Sequence, residues 1–117
     1  MKKTRPADIY LRFLQLADAL RGLPSLPELD PLEERILALV ARAMQDSERL
    51  SVRDMMAKDQ FGSPATVHNR LKSMREKGWI MLSDTEDSRR KQIELTQAAL
   101  QHFDKLSKCL VEAAKGG

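Results

Sequence analysis

Hydrogen-bonding side chains recur along residues 63–76 at the spacing of one helix face. Asn69 and Lys72 are about one turn apart, and they fall roughly opposite Val67 and Leu71 when each residue turns the helix by 100°. Amide and ammonium groups on such a face are the kind that read base edges in a DNA groove. A solvated helix face has the same pattern, so the neighbouring sequence must decide between the two interpretations.

The same segment carries the signals that begin and end a helix. Ser63 is a favourable N-cap residue, and Pro64 suits the first helical position, where a missing N–H has no cost. Gly78 follows Lys77 at the expected end of the helix, where a residue that tolerates positive φ follows a cation. The apolar stripe between these ends, which we expect to face a core, consists of Val67, Leu71 and Met74.

After Gly78 the apolar period changes to two, which indicates strands. Ile80 and Leu82 share one face of a first strand, and Ile93 and Leu95 share one face of a second. The polar segment 84–87 is prone to turn and links them. A β-hairpin is therefore predicted after the helix.

Two helices are predicted between residues 30 and 63. Asp30 and Glu33 have the spacing of a capping box that begins a helix ending near Asp46. Ser51 then caps a brief helix, and residues 58–62 make a turn into the next one. Two short helices joined by a tight turn, the second with a polar outer face, are typical of a helix-turn-helix. The buried face predicted for the helix after Asp30 consists of Leu32, Ile36, Leu39, Val40 and Ala43.

Two segments, TVHNRLKSMREKGWI and DSRRKQIELTQAAL, resemble the recognition helix and wing of the MarR-type (multiple antibiotic resistance regulator) winged-helix transcription regulators. The resemblance covers about residues 30 to 110 and is fairly specific, since several separated signals keep their spacing. It implies a homodimer that binds duplex DNA. The matching positions are Thr66, Val67, Lys77, Gly78, Asp87, Arg89, Ile93, Leu95 and Thr96.

Three positions on the predicted reading face depart from the family pattern. Family members often carry a serine or threonine and then an arginine where this chain has His68 and Asn69. They often carry an aspartate where it has Lys72. These differences do not change the predicted DNA binding, but they leave the target sequence undetermined.

We therefore predict a mainly α fold with a small β-hairpin (α+β), as a single winged helix-turn-helix domain over residues 1–117 with added N- and C-terminal helices. The helix-turn-helix spans residues 51–77 and the wing spans 79–95. Residues 6–21 carry a wide apolar stripe, which either packs in an ordinary core or partly meets a second subunit. Residues 96–114 carry a heptad-like seam, and the stripe and the seam together predict a homodimer. The predicted dimer contacts are Ile9, Phe13, Leu16, Leu20, Phe103, Leu106 and Leu110.

The predicted DNA contacts lie on the recognition helix and the wing. Ser63 and Thr66 would bind phosphates, and the side chains beyond them would reach the groove floor. The resemblance implies that Arg89 enters the minor groove, braced by Asp87, and a narrow minor groove attracts arginine. The full set is Ser63, Ala65, Thr66, His68, Asn69, Lys72, Ser73, Asp87, Arg89 and Arg90.

Composition permits this function without requiring it. The 117 residues carry a net charge of +3, which is compatible with a nucleic-acid partner. Residues 63–95 contain seven cations and five acids, whereas residues 32–48 contain two cations and four acids. The alternative is a winged-helix module that binds another protein in a larger assembly. Steeply salt-dependent binding to duplex DNA distinguishes the two.

Other classes of function have little support. Nothing places a nucleophile beside a base, so no enzyme is expected, and no cofactor or metal site is indicated. The single cysteine, Cys109, suits a reducing cytoplasm, and no signal peptide or membrane-spanning run is present. Family members often bind small aromatic effectors, but no pocket residues can be named here. RNA binding would need exposed aromatic residues for stacking, and most of the five aromatic residues of this chain lie at predicted core positions.

Overall fold

The computed structural model describes residues 5–19, 26–84 and 91–115. Its helices in chain order are α1 (Pro6–Ala19), α2 (Pro31–Gln45), α3 (Val52–Met56), α4 (Pro64–Glu76) and α5 (Gln97–Lys115), with a 3₁₀ turn at Asp59–Phe61. The strands β1 (Ile80–Asp84) and β2 (Lys91–Leu95) form an antiparallel pair. The predicted mainly α fold with a small hairpin is therefore confirmed.

The chain divides into two compact units. The described residues of Met1–Ser25 and Leu100–Gly117 form one unit, and those of Leu26–Ala99 form the other. The second unit contains α2, α3, α4, the hairpin and the first residues of α5. The core side chains of this second unit include Ile36, Val40, Met55, Val67, Met74, Ile80 and Ile93, all almost fully buried.

Helix α2 begins with the predicted capping box. Asp30 Oδ1 accepts a 2.7 Å hydrogen bond from the backbone N–H of Glu33, and the backbone N–H of Asp30 donates to Glu33 Oε1 at 3.0 Å. The two bonds satisfy N–H groups that have no partner within the helix. The helix ends at Gln45, with Asp46 as its C-cap, as predicted.

The buried face of α2 differs from the prediction. Leu32 and Leu39 are only half-buried, whereas Leu37 is buried. Helical geometry places Leu37 on the same side of α2 as Glu33, one turn earlier. Glu33 is also buried, and it pairs with Lys77, the C-cap residue of α4. The buried face of α2 is therefore shifted toward Glu33 and Leu37.

The hairpin has the predicted faces. Ile80 lies opposite Leu95, and Leu82 lies opposite Ile93, so all four share one face of the sheet. A single bridge pairs Ser51 with Gln92 beside the hairpin, and the N–H of Ile93 donates to the carbonyl of Leu50 at 2.8 Å. Asp84, which the sequence assigned to the turn, belongs to β1 and pairs with Lys91.

Helix α1 ends at Ala19, so the predicted contact Leu20 lies outside the described residues. Ile9, Phe13 and Leu16 are half-buried, and α1 contains no fully buried side chain. Its large exposed apolar residues are Tyr10, Leu11 and Leu14.

Helix α5 begins one residue after the predicted Thr96, because the Thr96 hydroxyl caps it by accepting from the N–H of Ala99 at 3.0 Å. Val111 and Ala114, through which the sequence pattern extends the seam, are exposed, as is Leu110, and Ala113 is buried. The seam as a contact with a second subunit stays a prediction. None of the described helices is long and apolar enough to cross a membrane.

Candidate nucleic-acid interface

The N-terminus of α4 is open to solvent and polar. Ser63 Oγ accepts a 3.2 Å hydrogen bond from the N–H of Thr66 and lies 3.0 Å from Thr66 Oγ1. Both residues are exposed, and the first turn of α4 carries no acidic residue. Pro64 has no N–H and the N–H groups of Thr66 and Val67 are bonded to Ser63, so the N–H of Ala65 is the one in this turn that the described residues leave free. It lies at the positive end of the helix dipole, which favours an anion there.

The two faces of α4 differ sharply in burial. Val67 and Met74 have 0% of their surface exposed, and Leu71 has 3%, so the predicted apolar stripe is confirmed. His68, Asn69 and Lys72 are exposed on the other side of the helix. The outward residues form the surface that we call the α4 outer face: Ala65, Thr66, His68, Asn69 and Lys72.

The polar side chains at the centre of the α4 outer face are not used inside the protein. The side chains of His68, Asn69 and Lys72 make no hydrogen bond or ion pair with any residue that the structure describes. Ser73 is different, because it is half-buried and turned toward the carboxylate of Glu33. Of the predicted contacts on α4, Ser73 therefore lies furthest from the outer face.

Arg70 of α4 and Lys77, its C-cap residue, are paired with acidic residues at the start of α2. Arg70 Nε lies 3.2 Å from Asp30 Oδ2. Lys77 Nζ lies 2.8 Å from Glu33 Oε1 and also donates to the carbonyl of Glu28 at 2.9 Å. The sequence identified Glu33 only as a cap, because a partner 44 residues away leaves no local signal.

Glu33 is 1% exposed, and its second oxygen, Oε2, has no hydrogen-bond partner in the described part of the chain. Burial is the largest influence on the pKa of Glu33 and favours the neutral acid. The N–H of Asp30, the ammonium of Lys77 and the hydroxyl of Ser73 act in the opposite direction, and together they lower the pKa below its usual value. Glu33 is therefore ionised at neutral pH.

The corner at Gly78 and Trp79, which follows α4, contacts Leu26, Pro27 and Thr96 of the same unit. Gly78 has a φ of 86°, and a Cβ at this position would lie 3.3 Å from Leu26 Cδ2. Trp79 Nε1 donates to the carbonyl of Pro27 at 2.7 Å, and Thr96 Oγ1 donates to the carbonyl of Gly78 at 2.6 Å. Sequence reasoning missed these bonds, although an indole N–H near a core is a signal that a partner exists.

At the base of the wing, Asp84 pairs with Lys91 directly across the two strands. The predicted wing contacts Asp87, Arg89 and Arg90 lie outside the described residues. Across the described ranges, no group of three or more His, Cys, Asp or Glu side chains has an arrangement able to hold a metal ion.

No protein-family model matches the chain, and a search of curated proteins finds no match. Solved structures do match. The S. aureus protein MepR bound to ethidium bromide superposes with a TM-score of 0.62 at 22% identity, over 92% of this chain and 73% of MepR. A MepR–DNA complex superposes with a TM-score of 0.60 at 23% identity, over 92% of this chain and 82% of MepR.

The heme sensor PefR from Streptococcus agalactiae, in complex with heme, gives a TM-score of 0.56 at 19% identity, over 88% of this chain and 65% of PefR. These proteins are MarR-family winged-helix regulators. The chain has the MarR-type winged-helix fold. The resemblance predicted from the recognition-helix and wing motifs is thus confirmed at the level of the fold.

Proposed function

We propose that this protein is a transcription regulator that binds duplex DNA as a homodimer in the cytoplasm. In this proposal α4 lies in the major groove, and the wing places Arg89 in the adjacent minor groove. The two-fold axis of the dimer matches a pseudo-palindromic site whose half-sites are about one helical turn apart. MepR, one of the matching structures, forms a complex with DNA.

The observation that carries the proposal is the α4 outer face. His68, Asn69 and Lys72 are exposed on it, and none of their side chains bonds to another described residue. These side chains can therefore contact a ligand without breaking a bond inside the protein. An amide, an imidazole and an ammonium group on one open helix surface supply the donors and acceptors that base edges and phosphates require.

The electrostatics of α4 support the same orientation. Ser63 and Thr66 place two exposed hydroxyls beside the positive helix end, where a DNA phosphate fits. An acidic residue in the first turn would repel that phosphate, and α4 has none. Helix α2 has Glu33 and Glu34 in its first turn, so its N-terminus is unsuited to the same role.

Exposed apolar side chains support the homodimer. Tyr10 is 61% exposed on α1, and Leu110 is 51% exposed on α5. Further exposed residues on these helices are Leu11, Leu14, Leu100 and Val111. Helix faces with several such residues are typical of surfaces covered by another chain, and the heptad spacing of α5 suits a helical partner.

The test is selection of duplexes from a random DNA pool with the purified protein, followed by affinity measurements at several salt concentrations. We expect a pseudo-palindromic sequence to be enriched, with an affinity that falls steeply with salt as phosphates release their counterions. An unrelated duplex of equal length is the control. No enrichment, together with salt-independent binding, would favour the protein–protein module instead.

A further inference from the structure

The first turn of α2 is attached to α4 at two points. Asp30 pairs with Arg70 at 3.2 Å, and Glu33 pairs with Lys77 at 2.8 Å. Seven residues, or about two helical turns, separate the two cations along α4. Attachment at two levels of a helix restricts its rotation about its own axis as well as its tilt.

The two pairs differ in strength. The side chains of Arg70 and Asp30 are 44% and 34% exposed, so water screens their attraction and the pair contributes little. Glu33 is almost fully buried, and its charge depends on Lys77 for compensation. The Glu33–Lys77 pair is therefore the attachment that carries the restraint.

The ammonium group of Lys77 is bound inside the protein. Its Nζ donates to Glu33 Oε1 and to the carbonyl of Glu28, which uses two of its three donors inside the protein. Lys77 is thus directed toward the first turn of α2, unlike Lys72 on the α4 outer face, which has no partner among the described residues.

We infer that Glu33 is a positioning residue for DNA reading: through Lys77 it sets the rotation of α4, so that Asn69 and its neighbours meet the base edges. The inference rests on the proposed function. Base readout depends on hydrogen bonds that tolerate little displacement, whereas phosphate contacts are less sequence-dependent. Loss of the restraint therefore weakens operator binding selectively.

The test is Glu33→Gln in the full chain. Glutamine retains the Oε1 acceptor for the N–H of Asp30 but removes the charge that holds Lys77. Glu34→Gln is the matched control, because Glu34 is the next residue on α2, is exposed, and its side chain has no partner among the described residues. Both variants change the net charge equally, so their nonspecific attraction to DNA changes by a similar amount.

Affinities are measured on the selected operator and on unrelated DNA, well below the unfolding temperature, with folding checked by circular dichroism. Relative to Glu34→Gln, we expect Glu33→Gln to bind the operator about 3- to 10-fold more weakly and unrelated DNA equally well. A lower melting temperature with an unchanged ratio of the two affinities would show that Glu33 is only structural, and would overturn the inference. Equal changes on both DNAs would also overturn it.

A double variant, Glu33→Gln with Lys77→Met, tests the role given to Lys77 and leaves no buried charge unpaired. We expect it to lose no more specificity than Glu33→Gln alone, because the pair is already broken. An additional loss on every duplex, with a salt slope lower by about one, would mean that Lys77 binds phosphate, and would overturn the inference. A wild-type protein that selects no DNA overturns the proposed function and this inference together, whereas a selective wild type with unaffected variants overturns the inference alone.

Discussion

The hydroxyl of Thr96 joins the start of α5 to the end of α4. It donates to the carbonyl of Gly78 at 2.6 Å and accepts from the N–H of Ala99 at 3.0 Å. One side chain therefore caps α5 and fixes the corner that leads from α4 into β1. Gly78 takes a positive φ at that corner, which few other residues tolerate.

The first prediction concerns this hydroxyl. Thr96→Val keeps the shape of the side chain but removes both hydrogen bonds, so we expect the free energy of unfolding to fall by about 1–2 kcal/mol. Thr96→Ser retains the hydroxyl and is the control. Urea denaturation of the three proteins measures the difference. Equal stabilities for the valine variant and the wild type would contradict the role assigned to Thr96.

The second prediction contrasts two residues of the α4 outer face. An asparagine amide can bond to adenine at N6 and N7, which discriminates against other bases by about 1–3 kcal/mol. We expect Asn69→Ala to relax the base preference at one position in each half-site and to leave nonspecific binding nearly unchanged. Lys72→Ala should weaken all duplexes about equally if Lys72 contacts phosphate.

Both variants are measured at fixed salt on the selected operator, on its single-base variants and on unrelated DNA. A uniform loss of affinity for Asn69→Ala would mean that α4 lies in the groove with a different rotation. Arg53→Ala is a useful comparison, since Arg53 is exposed on α3 and outside the predicted contact set.

The third prediction concerns the wing. Arg89 follows the predicted turn, and the family resemblance implies that it enters the minor groove. We expect Arg89→Ala to weaken binding to all duplexes and to lower the salt slope by about one. Lys105→Ala removes the same charge from α5 and should leave the slope unchanged. If Arg89→Ala has the affinity and slope of the wild type, the wing has no part in binding.

The fourth prediction concerns assembly. We expect light scattering at micromolar concentration to give twice the chain mass of 13.3 kDa. Leu110→Glu places a charge in the predicted interface and should shift the protein toward the monomer. Met81→Glu is the matched control, because Met81 is 45% exposed on β1, outside that interface. A wild-type protein with the monomer mass would exclude the proposed homodimer.

The fifth prediction concerns acid stability. The pKa of Glu33 is lowered in the folded protein, so the unfolded chain binds a proton more readily. The stabilisation is complete above the ordinary pKa of glutamate, about 4.3, and is lost as the pH falls through the folded value. We expect Glu33→Gln to be less stable than the wild type at pH 7, by about 1 kcal/mol, and to approach it in acid.

Unfolding by urea at a series of pH values measures this difference. Glu34→Gln is again the comparison, and its stability should remain parallel to that of the wild type. A constant gap between Glu33→Gln and the wild type from pH 7 to pH 3 would show that the ionisation of Glu33 is not coupled to folding.

The sequence by itself determined the elements and the identity of the outward face of α4. Capping residues such as Asp30 and Ser63 act on N–H groups within three residues, so helix starts are locally encoded. The stripe of Val67, Leu71 and Met74 required one buried face, and the opposite face followed from helical geometry. Because alternate residues of a strand share one face, the two strands and their common apolar face were predictable in the same way.

Only the tertiary structure decided which charges pair. Lys77 and Lys72 look alike in the sequence, yet one is bonded to a buried carboxylate and the other is exposed on the α4 outer face. The buried side of α2 shifted toward Leu37, because Glu33 also turns inward to meet Lys77. Which charges pair, and which side of α2 is buried, depends on contacts between residues far apart in the chain. Neither the hydrophobic period nor the capping pattern carries information about such contacts.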